Sequence, residues 1–278
     1  MSATTAPTTT VNVDGTPFAY RELGTGAGVP LVLLHHVTAV LDDWDPALID
    51  SLAAERRVIL VDLRGVGRSG GVTPDTFEAM ATDTVAFLDA LGLDTVDLLG
   101  YSLGGIVAQV VARQAPDRVR RIVLAATTPA GGEGPAVTGT LLQEAFQKAS
   151  EQGKHPKHFL FFEPSSAGQD AANAFLARLD QRTPEDRDTP ISDEAVGAQL
   201  TALAAWGQST TDAGLAEITQ PVLVVNGDHD AMWPTPGTLD LARQLPNAKL
   251  AIYPDSGHGG IFQYHDIFAR QVLDFLNN

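Results

Sequence analysis

Serine, histidine and aspartate together can open a carbonyl bond, and this chain spaces all three in a way that suits such chemistry. Ser102 lies in Gly100-Tyr101-Ser102-Leu103-Gly104-Gly105, between an apolar run, Val96–Leu99, and a helix-like stretch. A G-x-S-x-G turn in strand–turn–helix context lifts the serine hydroxyl clear of a sheet. The residues two before and two after approach too closely for side chains, hence Gly100 and Gly104. The helix N-terminus beneath favours negative charge, and the N–H of Leu103 is expected as one oxyanion donor. Taken alone, Ser102 would read as an ordinary helix N-cap. It acquires chemistry only with a base, and the base only with an orienting carboxylate. His258 lies between glycines in Tyr253-Pro254-Asp255-Ser256-Gly257-His258-Gly259, just past the final apolar run. Asn226-Gly227-Asp228-His229-Asp230 follows the run Val222–Val225, so both Asp228 and Asp230 lie where a strand's C-terminal end offers residues to a ligand.

Two neighbouring patterns are weaker. Gly67-Arg68-Ser69-Gly70-Gly71 also fits G-x-S-x-G, but no helix opens after Ser69; Pro74 intervenes. The same stretch fits G-x-G-x-x-G as Gly65, Gly67 and Gly70, yet it lacks the helix start and the following strand-end acid of a dinucleotide site. It reads as a tight structural loop. His35-His36 is a poor metal pair, because adjacent strand residues point apart and no H-E-x-x-H is present. His155 and His158 read as solvated surface.

These residues need a scaffold, and the hydrophobic pattern supplies one. Short apolar runs alternate with helical spacing: Val11–Val13 and Phe18–Glu22 as a hairpin, Leu31–His35, helix 44–55, Arg57–Asp62, helix 77–91, Val96–Gly100, helix 102–114, Val119–Ala125. The rhythm breaks from Pro129 to Glu217, where only helical patterns occur, at 141–151, 171–181 and 193–208. It resumes with Val222–Asn226, helix 238–245, Lys249–Tyr253 and helix 261–276. Continuous rather than alternating apolar strands imply a mostly parallel α/β sheet, of about eight strands, with helices on both faces. Residues 1–10 read as a disordered Thr/Ala/Pro arm, 11–128 and 218–278 as the core, and 129–217 as a helical cap.

Composition narrows the partners. The chain has 278 residues, with 34 acidic and 18 basic residues, for a net charge of −16. So acidic a surface repels phosphate backbones and anionic lipid heads, which argues against nucleic acid and membranes as partners. The absence of cysteine excludes disulfides, thiolate nucleophiles and cysteine-type metal sites. No apolar run approaches the roughly 18 residues that span a bilayer, and the first residues do not resemble a signal peptide, so a cytoplasmic location is expected.

The chain resembles the α/β-hydrolase superfamily over nearly its whole length. The resemblance rests on Gly100–Gly105, Asp62-Leu63-Arg64-Gly65-Val66-Gly67-Arg68-Ser69, Gly227-Asp228-His229-Asp230 and Ser256-Gly257-His258-Gly259. It is similar to the cofactor-free serine esterase and haloperoxidase-like branch, which includes lactonases and C–C bond hydrolases. The resemblance implies the acid at Asp230 rather than Asp228, by its G-x-x-D spacing. It also implies a second oxyanion donor at Val37 N–H, although His36 stands where the family has glycine and Thr38 can offer its hydroxyl instead. The substrate pocket is expected to include His36, Thr38, Tyr101, Phe161, Trp233 and Phe262. The expected activity is serine-type cleavage of a carboxylic ester or lactone with an apolar moiety, with no cofactor and no metal. The partner is a small-molecule substrate; self-association is left open. The rivals are perhydrolase or C–C bond chemistry on the same triad, and a ligand receptor with little turnover.

Overall fold

A computed structural model describes residues 1–211 and 214–278; residues 212 and 213, inside the expected cap span, lie outside the described residues. The chain opens with the expected hairpin, β1 (Thr9–Val13) and β2 (Thr16–Leu23). Its turn residues Asp14 and Gly15 have φ of 48° and 85°, the left-handed pair that matches the twist of a two-residue hairpin. Then follow β3 (Leu31–Leu34), α1 (Pro46–Ala53), β4 (Val58–Val61), α2 (Phe77–Ala90), β5 (Val96–Tyr101), α3 (Leu103–Gln114) and β6 (Val119–Ala125). The next four helices come without a strand among the described residues: α4 (Thr138–Gln152), α5 (Lys157–Leu160), α6 (Ser166–Leu179) and α7 (Asp193–Gly207). β7 (Val222–Gly227), α8 (Thr235–Gln244), β8 (Ala248–Tyr253), α9 (Gly260–Gln263) and α10 (His265–Asn277) complete the chain.

The eight strands form one sheet in the order β1-β2-β4-β3-β5-β6-β7-β8. β1 and β2 are antiparallel additions at one edge; from β4 to β8 all neighbours are parallel. Every residue of β3, β4, β5 and β7 is buried, as strands covered on both faces require. Parallel register carries the ends of β5, β6 and β7 to a common edge. There Ser102, Ala126 and Asp228 leave the sheet. Helix limits differ from the periodicity at identifiable residues. α1 starts at Pro46 because Asp45 caps it, its Oδ1 accepting the Ala47 N–H at 3.0 Å. The expected helix at 261–276 breaks at Tyr264, whose φ of −110° and ψ of 36° separate α9 from α10. No helix among the described residues is long and apolar enough to cross a membrane.

The expected disordered arm takes a different course. Thr9 and Thr10 lie in β1, Ala6 is buried, and the Arg182 guanidinium donates to the carbonyls of Ala3, Thr4 and Ala6 at 3.2, 3.2 and 2.9 Å. A partner more than 170 positions away leaves no local mark in a Thr-rich stretch.

The helices between β6 and β7 meet the sheet domain through aromatic packing, Phe175 on Phe262 and Trp206 on Phe77, and through charge. Asp42, Asp43 and Asp45, just ahead of α1, receive Arg182 at 3.4 Å, Lys157 in a close pair, and Arg178 at 2.6 Å. Arg21 of β2 also reaches Asp42, at 2.6 Å. Farther along, Asp188 takes Arg68 at 3.5 Å and turns toward Asp62 at the end of β4. Burial, then hydrogen bonding with Asp188, pushes the Asp62 carboxyl well above the usual carboxylate range.

Candidate active site

The turn between β5 and α3 presents Ser102 with φ of 57° and ψ of −119°, a strained backbone for any residue with a side chain. Its surroundings enforce the conformation. The Ser102 N–H donates to the Ala125 carbonyl at 2.8 Å, and the Gly104 N–H donates to the His35 carbonyl at 2.9 Å. A Cβ on Gly100 would meet the Gly104 carbonyl oxygen at 2.3 Å; one on Gly104 would meet the Leu34 oxygen at 2.1 Å. Only glycine lets β5, α3 and β3 approach this closely.

The Ser102 Oγ lies 2.9 Å from His258 Nε2, and His258 Nδ1 lies 2.8 Å from Asp230 Oδ2. All three side chains are buried. Asp230 Oδ1 accepts the N–H groups of Met232 and Trp233, both at 2.9 Å, which holds the carboxylate edge toward the imidazole. Tyr101 donates its hydroxyl to the His258 carbonyl at 3.1 Å and pins the loop from below. Asp228, the other acid, braces the same loop through the Ser256 N–H at 3.2 Å and does not meet His258. The arrangement is that of a nucleophile, a base and an orienting acid in hydrogen-bonded series.

Beside Ser102 lies the loop after β3. The N–H of Leu103, first in α3, has no preceding helical carbonyl to bond. The N–H of Val37 is likewise without a hydrogen bond among the described residues. Thr38 N–H is occupied by Gln199 Oε1 at 2.9 Å, which removes its amide from the oxyanion candidates. His35 stacks on Trp44 at 4.1 Å between centroids, and its Nδ1 accepts the His36 N–H at 2.8 Å. His36 Nδ1 donates to the Val37 carbonyl at 2.5 Å. Burial, and after it the positive charge of Lys157, lowers the His36 pKa to about 3, so this imidazole is neutral.

A cavity of about 460 Å³ opens over Ser102 and His258. Of the residues expected in the pocket, His36, Thr38 and Phe161 line it, as does Val37. Tyr101, Trp233 and Phe262 do not; they are buried behind the triad. Trp233 sits 5.7 Å from His258, its indole N–H donating to Thr138 Oγ1 at 3.1 Å. Phe262 stacks on Phe175 at 4.6 Å and meets Tyr101 at 5.1 Å. Aromatic size alone did not distinguish a wall from a support. Sequence reasoning missed Asp43 and Lys157, which line the cavity as an ion pair, and the apolar roof of Leu142, Phe146, Val196 and Leu200. The roof had a signal: Leu142/Phe146 and Val196/Leu200 are both i,i+4 apolar pairs on helices. His155 is exposed, as expected, at the edge of the cavity, whereas His158 is buried with Nδ1 3.2 Å from Gln169 Oε1 and is not solvated surface. Among the described residues no group of three or more His, Cys, Asp or Glu could hold a metal.

The comparisons place the fold. Residues 29–263 match a family model described as alpha/beta hydrolase fold. A solved alpha/beta hydrolase fold protein from Chitinophaga pinensis superposes with a TM-score of 0.95 at 39% identity, covering all of both chains. A pimeloyl-(acyl-carrier protein) methyl ester esterase of Nitrosomonas europaea is 32% identical, over 88% of this chain and 94% of its own. A 2-hydroxy-6-oxo-6-phenylhexa-2,4-dienoate hydrolase of Burkholderia cepacia is 28% identical, over 99% of this chain and 98% of its own. Strand order, elbow and family match together make this chain a member of the α/β-hydrolase family.

Proposed function

We propose that the protein is a serine hydrolase that cleaves a carboxylic ester or lactone with an apolar moiety through an acyl-enzyme. The observation that carries this reading is the unbroken series Ser102 Oγ, His258, Asp230 at 2.9 and 2.8 Å, at the floor of a largely apolar cavity. Ser102 Oγ attacks the carbonyl carbon as His258 Nε2 takes its proton. The oxyanion is received by the N–H groups of Leu103 and Val37. The C–O bond breaks, His258 returns the proton to the leaving alkoxide, and the acyl group stays on Ser102. Water then attacks the acyl-enzyme with His258 as base, and the acid is released. Asp230 holds the imidazole tautomer and offsets the charge of the imidazolium. Helices α4 to α7 form the cap over this site, with Leu142, Phe146, Val196 and Leu200 against the apolar part of the substrate.

One observation favours a second reading. The Burkholderia cepacia relative matches along nearly the entire chain, and the compound in its name holds a ketone and no ester. Hydrolysing that compound breaks a carbon–carbon bond. The same series of residues serves either chemistry, so a substrate panel decides: esters and lactones against 2-hydroxy-6-oxodienoates, followed by loss of the dienoate absorbance.

The test of the serine reading is covalent. A fluorophosphonate should place a single adduct on Ser102, read by peptide mass, and His258→Ala should abolish it. Multiple turnover of any ester then argues against a receptor role. An adduct elsewhere, or none on the folded protein, overturns the assignment.

A further inference from the structure

The loop that carries Val37 is gripped from two sides. Thr38 has φ of 68°, a left-handed conformation that is costly for a β-branched residue. The peptide between Val37 and Thr38 is fixed at both ends: its carbonyl accepts from His36 Nδ1 at 2.5 Å, and its N–H donates to Gln199 Oε1 at 2.9 Å. Turning that peptide would break both bonds. Gln199 is 2% exposed and belongs to α7, 161 positions along the chain from its partner. Its neighbours on α7, Val196 and Leu200, line the cavity. No other hydrogen bond among the described residues joins this loop to α7.

We infer that Gln199 is a positioning residue for the oxyanion hole: from a helix outside the sheet it holds Thr38, and through Thr38 the direction of the Val37 N–H. The inference rests on the serine reading of the site, with Val37 as a donor. Gln199 touches no reacting atom. Its contribution is to keep a strained loop in the one conformation where a backbone donor faces the oxygen that gains charge. It also ties that donor to the helix that the apolar part of the substrate packs against, so a well-seated substrate and a well-aimed donor come together.

The experiment uses the full chain and 4-nitrophenyl butyrate, with an alkyl boronic acid as tetrahedral analogue. Gln199→Met fills the same space without the oxygen. A donor swung out of line costs about tenfold to a hundredfold in kcat. KM should stay within about twofold, because the interaction is made only in the transition state. The boronic acid should weaken by the same factor as kcat. Gln199→Glu keeps an oxygen in place and should return kcat to within about threefold of the parent. A merely structural role would lower stability and leave the kcat–KM split and the boronic acid unmoved. If the methionine variant does not fold, Gln199→Ala is read the same way. Parent-like kcat in a folded Met or Ala variant overturns the inference, as does a Glu variant no better than Met. Ser102→Ala, run alongside, separates the two readings. Turnover kept there removes the serine mechanism itself; turnover lost there, with Gln199→Met unimpaired, removes only the positioning role.

Discussion

The nucleophile turn and the helices above it are held by different physics. Around Ser102, glycines, backbone hydrogen bonds and fully buried strands fix atoms to one place; neither Gly100 nor Gly104 has room for a methyl group. The segment above adds ion pairs between long side chains: Lys157, Arg178 and Arg182 reach down to Asp43, Asp45 and Asp42, and Arg68 of the sheet domain reaches up to Asp188. The first arrangement sets geometry to a fraction of an ångström and tolerates no change. The second leaves the walls of the cavity free to vary while keeping them seated. On the proposed function, reaction chemistry would be lodged in the rigid part and substrate shape in the part that the ion pairs help to seat.

The sharpest way to test that contrast is at its centre. Ser102→Ala should lower kcat by about a millionfold, the scale seen when a triad serine is removed. An ester assay and a melting curve on one sample should show activity gone and the fold kept. Gly104→Ala should act the other way round, on the fold. Its Cβ would sit 2.1 Å from the Leu34 oxygen and 2.7 Å from the His35 oxygen, so a loss above about 3 kcal/mol is expected in a denaturant titration. Parent-like stability there would mean that β3 and α3 separate easily, contrary to the rigid reading.

Arg178→Met probes the upper region. It strands the buried Asp45 carboxylate and should cost about 3 kcal/mol. Hydrogen exchange should quicken in α6 and leave α3 protected; equal loosening of both would erase the contrast. Changes of pH should act with opposite sign at His36, beside Ser102, and at Asp62, where the sheet domain meets Asp188 of the overlying segment. His36, lowered to about 3, adds stability that is full above the ordinary histidine range near 6.5 and is lost as pH falls toward 3. Asp62, raised, adds stability that is full below the ordinary carboxylate range and is lost as pH rises through its folded value. Stability curves should therefore fall on both flanks, and Asp62→Asn should flatten only the alkaline one. Least affected should be Asp240→Asn. Its pair with Arg243 is exposed at both ends, and the change in melting should lie within about 0.5 kcal/mol.

Legibility in the sequence follows the same division. Ser102 and its two glycines could be read because steric need confines them to five consecutive positions. His258 and the pair Asp228/Asp230 could be read because strands deliver them to one edge. The choice between the two acids needed family spacing, and the structure shows Asp228 bracing the histidine loop instead. Lys157 with Asp43, and Gln199 with Thr38, could not be read. Their partners lie 114 and 161 positions apart, and a lysine beside two histidines looks like any solvated face. Trp233 and Phe262 looked like pocket walls because they follow the acid and the base; packing placed both behind the triad. Disorder was expected of the first ten residues because nothing in them announces Arg182.

The short strip from Asp42 to Asp45 works as a connector. Three carboxylates within four positions receive three cations, Lys157 of α5, Arg178 of α6 and Arg182 just past α6, and Asp45 also starts α1. A segment transplanted from a relative in place of residues 129–217 should seat only if it brings cations to Asp43 and Asp45, since Asp42 keeps Arg21 of β2. A graft lacking them would fail on charge before shape, with a stranded carboxylate at the root of α1. Retaining Lys157 and Arg178 while exchanging the apolar roof is therefore the route by which this scaffold could be given a new substrate.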